Sequence, residues 1–349
     1  MDFLTAFKGL EVQSFKTKWQ APSNIAFVKY WGKKGHQLPS NPSISLTLSK
    51  CQTQTQVEFT ASDKLCVELF LDGECKPSFA KKIHSFLANL SLELPWLNNV
   101  SIVVHTHNTF PHGTGIASSA SGMAALCLGI AEYLFFLKNR PLDGEFYQVA
   151  SFLSRLGSGS ASRSVYGGMV SWGEFEGESA MSDLFATPFK THEVFSDLRD
   201  SVVIVSSEEK IVSSRQGHGQ MSEHGYAEAR FKEAFKNFKQ TIDALRSGDW
   251  QQVGEVLENE ALQLHAMMLT SPESYTLLKP ESLIIIEKIR AFRKNTGSQV
   301  YFTLDAGPNL HLIYPQTIEN EVREFIEEEL TQYSQTIIHD SIGQGPQKC

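Results

Sequence analysis

The chain has 349 residues, 41% of them hydrophobic, which is ample for a large core and fits one large or two ordinary domains. It carries 31 basic and 39 acidic residues, a formal charge of −8, and no basic run. That balance speaks against a nucleic-acid surface, although a local cluster of cations and backbone amides can still hold an anion.

The first residues, MDFLTAFKGLEVQSFKTKWQ, have no long apolar core and no cleavage pattern, so a signal peptide is not expected. Next comes APSNIAFVKYWGKKG, residues 21–35, where Lys29, Tyr30, Trp31, Lys33 and Lys34 gather around an apolar strand. Strand alternation puts Lys29 and Trp31 on one side and Tyr30 on the other. Taken alone, the lysines fit a solvated loop. The Tyr30 hydroxyl and the Lys33 ammonium also suit an anionic group.

ISLTLSKCQTQTQVEF alternates apolar and polar residues, and KLCVELFLDG does so up to an Asp-Gly turn; VSIVVHTHN is a further strand. NTFPHGTGIASSASG, residues 108–122, sets a strand, a glycine turn and a helix start in sequence. Gly113 and Gly115 let the backbone approach a ligand, and the first helical amides point at it. Ser118, Ser119 and Ser121 add hydroxyls for phosphate oxygens or a magnesium ion. The segment is neither a Walker A loop nor a dinucleotide fingerprint. By composition it fits a small-residue helix cap equally well. His112 within it is a phosphate contact or a solvated loop histidine. The helix that follows is mostly apolar, but its run from Met123 to Leu137 is short and broken by Glu132, so it is not expected to span a membrane.

The helix LDGEFYQVASFLSRLG runs into GSGSASRSVYGG, a stretch with the composition of a linker that nevertheless contains Arg163 and Tyr166. Near Ser201 the character changes. SVVIVS reads as a buried strand, and Ser213, Ser214 and Arg215 after it suit a phosphate or cap an ordinary helix. Amphipathic helices are expected over about 224–247, 249–269 and 281–295. YFTLDAGPNLHLIY, residues 301–314, holds Asp305 at a strand end, as a turn former or as a carboxylate able to accept a proton. A helix near 317–332 and the strand QTIIH complete an α+β architecture, divided at 1–200 and 201–349. The five cysteines, Cys51, Cys66, Cys75, Cys127 and Cys349, are odd in number and follow no zinc spacing. They read as reduced thiols of a cytoplasmic protein.

Five segments in order, NIAFVKYWGK, NTFPHGTGIASSASG, GSGSASRSVYGG, VSSRQG and DAGPN, resemble the mevalonate diphosphate decarboxylase family. That family lies in the kinase superfamily that includes galactokinase, homoserine kinase and mevalonate kinase. The serine-rich loop points to the superfamily; KYWGK and GSGSASRS single out the decarboxylase branch. The resemblance implies an N-terminal ATP-binding domain with a left-handed β-α-β unit and a C-terminal ferredoxin-like domain. The active site is implied to lie between them, and a homodimer is expected. It implies ATP-dependent phosphorylation of the 3-hydroxyl of mevalonate 5-diphosphate, then loss of phosphate and carbon dioxide to give isopentenyl diphosphate. Asp305 then matches the catalytic aspartate and Arg163 the arginine that holds the substrate carboxylate. Ser158 and Ser160 lie in the same substrate segment. Tyr30 and Lys33 match groups at the anionic end, and Ser214 and Arg215 the segment gripping the diphosphate. Gly113, Gly115, Ser118, Ser119 and Ser121 would hold ATP phosphates, with Ser119 for Mg²⁺. Lys210 is a further candidate for a phosphate. Small molecules, rather than nucleic acid or a membrane, are the expected partners. A decarboxylase of mevalonate 5-phosphate or a mevalonate 3-kinase would use the same scaffold. A non-catalytic binding protein would lack one of these groups, and the absence of a Gly-x-Ser-x-Gly elbow argues against a hydrolase.

Overall fold

The computed structural model describes residues 3–110, 116–208 and 212–349, with Ser214 and Arg215 described in their backbone only. The first part contains β1 (Phe15–Val28), β2 (Lys33–Lys34), β3 (Leu38–Pro39), β4 (Ser43–Ala61), β5 (Cys66–Leu71), β6 (Glu74–Cys75), α1 (Pro77–Leu90), β7 (Val100–Asn108), α2 (Ser118–Leu137), α3 (Gly144–Gly157), β8 (Met169–Trp172) and β9 (Thr187–Pro188). The second contains β10 (Leu198–Ile204), α4 (Ser214–Gln220), α5 (Ala227–Ser247), α6 (Trp250–Leu269), α7 (Pro280–Thr296), β11 (Tyr301–Thr303), β12 (Leu310–Pro315), α8 (Glu319–Phe325), β13 (Thr336–Ser341) and β14 (Gln347–Lys348).

The alternating stretch read from the sequence is one long strand, β4, paired antiparallel with β1 from Phe15↔Phe59 to Val28↔Ile44. The first sheet has the order β14-β1-β4-β7-β5-β6, with β8 alongside the other end of β4. Its β5 and β7 run parallel with α1 between them, which forms the β-α-β unit. The Asp-Gly turn after β5 takes positive φ at both Asp72 and Gly73.

Helix α2 lies directly on this sheet. A Cβ on its Gly129 would stand 3.1 Å from Val57, so glycine there sets the spacing between helix and sheet. Ala120, Ala124, Ala125, Leu128 and Leu134 fill the layer with Val57, Phe59 and Ile102. By length and composition α2 is apolar enough to cross a membrane, yet most of it is buried, as befits a core helix of this domain.

In the second sheet the order is β11-β12-β10-β13, with every neighbour antiparallel. Numbered within the domain this is 2-3-1-4, the ferredoxin-like order, with β12 inserted between the two strands that a helical crossover joins. The expected helix near 317–332 begins as α8, then widens to a π-turn over Ile326–Leu330 and tightens over Thr331–Tyr333.

The two domains share a core. Ile25, Phe27, Ile44, Leu46 and Leu48 from the first sheet pack with Val202, Ile204, Phe238, Trp250 and Ile313 from the second domain. The Asp340 carboxylate on β13 accepts backbone N–H bonds from Ser49, Lys50 and Cys51 of β4. Residues 342–349 then return along the first domain, where β14 pairs with β1.

Candidate active site

The glycine- and serine-rich stretch after α3 is a tightly bonded 3-10 turn, Gly159–Val165, rather than a linker. The Ser162 hydroxyl donates to the Gly159 carbonyl at 2.8 Å, the Ser151 hydroxyl to the Ser162 carbonyl at 2.9 Å, and the Asn24 amide to the Ser164 hydroxyl at 2.7 Å. Glycine at 159 lets the turn approach two rings: a Cβ there would stand 2.8 Å from both Tyr30 and Trp172. Ser158 and Ser160 flank it, both half-buried, and the Ser160 carbonyl accepts from Asn24.

Arg163 comes out of this turn with 2% exposure. Its Nε donates to Ser45 Oγ at 2.8 Å, Nη1 to Ser43 Oγ at 2.5 Å, and Nη2 reaches Asn24 Oδ1 at 3.5 Å. Its guanidinium also lies over the Trp172 ring, 5.9 Å from the centroid. Among the described residues no carboxylate lies within ion-pair distance of it. Burial pulls its pKa down to about 10, against the attraction of Asp305 and Tyr30, so it stays charged at neutral pH. A buried cation held only by neutral groups is costly. The fixed plane of its fork suits an incoming carboxylate.

Lys29, just past the end of β1, is 1% exposed. Its Nζ donates to the Ala26 carbonyl at 2.7 Å and to Asp305 Oδ1 at 3.0 Å. Burial lowers the Lys29 pKa, with Asp305 and Glu260 opposing that fall and the like charge of Arg163 assisting it. Asp305 stands in the turn after β11, its side chain 28% exposed. Sequence alone assigns Lys29 no role. The only signal was a lysine directly after the buried run NIAFV, where a solvated loop was the ordinary expectation.

Tyr30 packs edge-on against Trp172 (centroids 4.7 Å) and at 4.4 Å from the His218 ring; Trp31 meets the same ring at 4.6 Å. Burial raises the Tyr30 phenol well above its usual range, which leaves it a neutral donor. Lys33 follows in β2, its Nζ on Gln37 Oε1 at 3.0 Å. His218 lies in α4, a helix whose N-cap Ser213 forms a capping box with Gln216. That cap starts the helix at Ser214 and Arg215, on the second domain's side of the Tyr30–Trp31 pair.

His112, Gly113, Gly115 and Lys210 lie outside the described residues. Ser118 and Ser119 form the first turn of α2 after Ala117, which takes φ 43°; Ser119 is exposed. Ser121 departs from the expectation for it. It is fully buried, with its Oγ 2.6 Å from Thr53 Oγ1, because its place in the helix turns it onto β4. Its hydroxyl therefore bonds helix to sheet. For Mg²⁺, a hard cation that binds phosphate oxygens and water with few protein ligands, the exposed Ser119 hydroxyl is a suitable donor. Among the described residues no group of three His, Cys, Asp or Glu gathers as a metal site. All five cysteines are free thiols.

A helix start rich in small residues, a ferredoxin-like second domain and buried cations beside the contact of Lys29 with Asp305 define a two-domain enzyme of the small-molecule kinase type. The chain belongs to the diphosphomevalonate decarboxylase family. Residues 21–184 match the diphosphomevalonate decarboxylase-like N-terminal domain, and residues 201–348 match the mevalonate 5-diphosphate decarboxylase C-terminal domain. The diphosphomevalonate decarboxylase of Debaryomyces hansenii is 31% identical over 318 residues, 86% of this chain and 80% of that one. The one from Danio rerio is 32% identical over 324 residues, 88% and 77% of the two chains. The crystal structure of mevalonate diphosphate decarboxylase from Staphylococcus aureus aligns with TM-score 0.83 at 28% identity, over 97% of this chain and 98% of that one. A structure of MDDEF in complex with MVAPP, AMPPCP and magnesium aligns with the same TM-score and identity, over 97% and 99%.

Proposed function

We propose that this chain converts mevalonate 5-diphosphate, ATP-dependently, to isopentenyl diphosphate, ADP, phosphate and carbon dioxide. Family membership supports the reaction. The observation that carries it for this chain is the buried, hydroxyl-held Arg163 on the side of the cleft where Lys29 meets Asp305.

In this reading Arg163 takes the substrate carboxylate. Ser43, Ser45 and Asn24 fix the guanidinium plane, so the C–C bond to be broken is held in one orientation. Asp305, steadied by the Lys29 ammonium, accepts the proton of the tertiary 3-hydroxyl. That alcohol is a poor nucleophile, and a positioned base contributes typically ~10²–10⁴-fold. Bound ATP with Mg²⁺ supplies the phosphoryl group and spreads its charge; Ser118, Ser119 and the loop before them would hold it. The 3-phosphate then departs with its bonding electron pair. The electrons of the carboxylate's C–C bond move in to form the new double bond, and carbon dioxide leaves. Asp305 faces the positive charge that develops at C3. Because a grip that tightened on the carboxylate would oppose its loss, orientation is the contribution of Arg163. Tyr30, Lys33, Ser158, Ser160, Ser214 and Arg215 are assigned to the substrate's remaining polar groups, Ser214 and Arg215 to its diphosphate.

The test offers purified protein ATP and Mg²⁺ with mevalonate, its 5-phosphate or its 5-diphosphate. Carbon dioxide should come from the 5-diphosphate alone. Release from the 5-phosphate, or ADP without carbon dioxide, would move the assignment to a sister reaction. A homodimer is part of the same proposal, and sedimentation velocity reads it.

A further inference from the structure

We infer that Glu260 and His218 are positioning residues, reaching from the second domain to hold the two ends of the Lys29–Gly32 segment. The inference rests on the function proposed above and concerns groups that touch no substrate in it.

At one end, Glu260 Oε2 accepts the Lys29 backbone N–H at 2.8 Å. Glu260 is fully buried on α6. It is held in turn by Arg230 of α5, whose Nη2 donates to Oε2 at 2.6 Å and Nη1 to Oε1 at 2.9 Å, and by the Asn237 amide on Oε1 at 2.6 Å. Lys29 is thus fixed twice from the second domain, its main chain by Glu260 and its ammonium by Asp305. The contact that steadies the reacting carboxylate depends on a second carboxylate behind it.

At the other end, His218 Nδ1 accepts the Gly32 N–H at 3.0 Å while its ring lies against Tyr30 and Trp31. Accepting at Nδ1 places the ring proton on Nε2. Burial, with some help from Lys33, holds its pKa down to about 3, so the acceptor persists across the working range. Between the two pins the segment sits on α5. Gly32 takes φ +98°, and a Cβ there would stand 2.6 Å from the Phe231 ring, so its shape is fitted to the second domain. A buried carboxylate with four donors around it is a costly feature unless it is fully used. Here it fixes Lys29, whose ammonium meets Asp305.

The two ends should separate in kinetics. The Lys29 end governs chemistry, and the Tyr30–Lys33 end governs substrate binding. His218→Phe keeps a ring between Tyr30 and Trp31 but removes the acceptor. It should raise KM for mevalonate 5-diphosphate about tenfold, the worth of one orphaned N–H, with kcat little changed. His218→Asn, whose Oδ1 can replace Nδ1, should recover most of that. Glu260→Leu combined with Arg230→Met removes both buried charges without stranding either. It should lower kcat roughly 10–100-fold with KM little changed, as expected for a misplaced reacting pair. Wild-type constants in these variants would overturn the clamp. So would equal fractional changes in kcat and KM at both ends, or losses that only follow the melting temperature. If the double variant does not fold, the two His218 variants decide alone. A wild-type chain that releases no carbon dioxide from mevalonate 5-diphosphate would instead sink the proposed function, and the same assay tells the two failures apart.

Discussion

Arg163 is a buried cation for which the proposed substrate carboxylate would supply the countercharge. Its partners are two serine hydroxyls and an amide, and a guanidinium in such a place destabilises the empty protein. Replacing it should therefore separate function from stability. Arg163→Gln should lose decarboxylation by ~10²–10³-fold, the usual cost of removing one preorganised charge-stabilising group. Its ligand-free Tm should hold or rise. With Asp305 as the proposed base, Asp305→Asn should stop ADP formation as well, since proton removal belongs to the first step. Trapped ¹⁴CO₂ set against coupled ADP release reads both. His218 makes a prediction in pH. Its folded pKa, about 3, lies below the unfolded value of 6.5, so the unfolded chain binds more protons between those two values. The stability it leaves intact above pH 6.5 is lost as pH falls from 6.5 toward 3. In urea titrations at a series of pH values, His218→Phe should show a shallower acid loss than wild type across that window. Parallel curves would show that His218 titrates normally.

Among the elements, the 3-10 turn at Gly159–Val165 shows how far composition misleads. By composition glycine and serine suggest slack, yet each of Ser151, Ser162 and Ser164 is spent on a bond within or against the turn. Gly159 is there to let two aromatic rings approach. Gly159→Ala must push Tyr30 or Trp172 aside. It should cost about 1–3 kcal/mol by overpacking, measured by chemical denaturation, and raise KM for the substrate through the displaced Tyr30. Unchanged stability would mean that the rings move freely. The strands and long helices were legible because their apolar periods are long and uninterrupted: β4, α5, α6 and α7 lie within a few residues of their expected places. The order of four strands into a ferredoxin-like sheet was not, since pairing across more than a hundred residues leaves no local signal; it came through the resemblance. The roles proposed for Asp305 and Arg163 came from the resemblance as well. Lys29, Glu260 and His218 carried no such signal. Each is a polar residue at an unremarkable place in its own segment, and it acquires a role only from what the other domain sets beside it. Ser121 erred the other way. It shares a motif with Ser118 and Ser119, but the helical turn points it at Thr53.

At the scale of the molecule, the boundary near residue 200 divides the sequence more sharply than it divides the structure. The shared core draws Ile25, Phe27, Ile44, Leu46 and Leu48 against Val202, Phe238, Trp250 and Ile313, so neither sheet has a buried face of its own on that side. Asp340 accepts three backbone N–H groups of β4, and residues 342–349 cross back to pair with β1. Interfaces between domains that only dock are more polar than this shared core. The site itself follows the same logic: Lys29 belongs to one domain and Asp305, Glu260 and His218 to the other, so domains drifting apart would dismantle the chemistry before either unfolded. The chain should accordingly melt in a single calorimetric transition, despite a length at which separate domains commonly unfold in steps. Leu48→Ala, a large-to-small change in the shared core, should lower that transition as a whole by ~2–5 kcal/mol. Activity and near-ultraviolet circular dichroism should be lost together along it. Two resolved transitions in the wild type, or a Leu48→Ala shift confined to one of them, would show that the halves are independent and that the cleft is a docked rather than a shared structure.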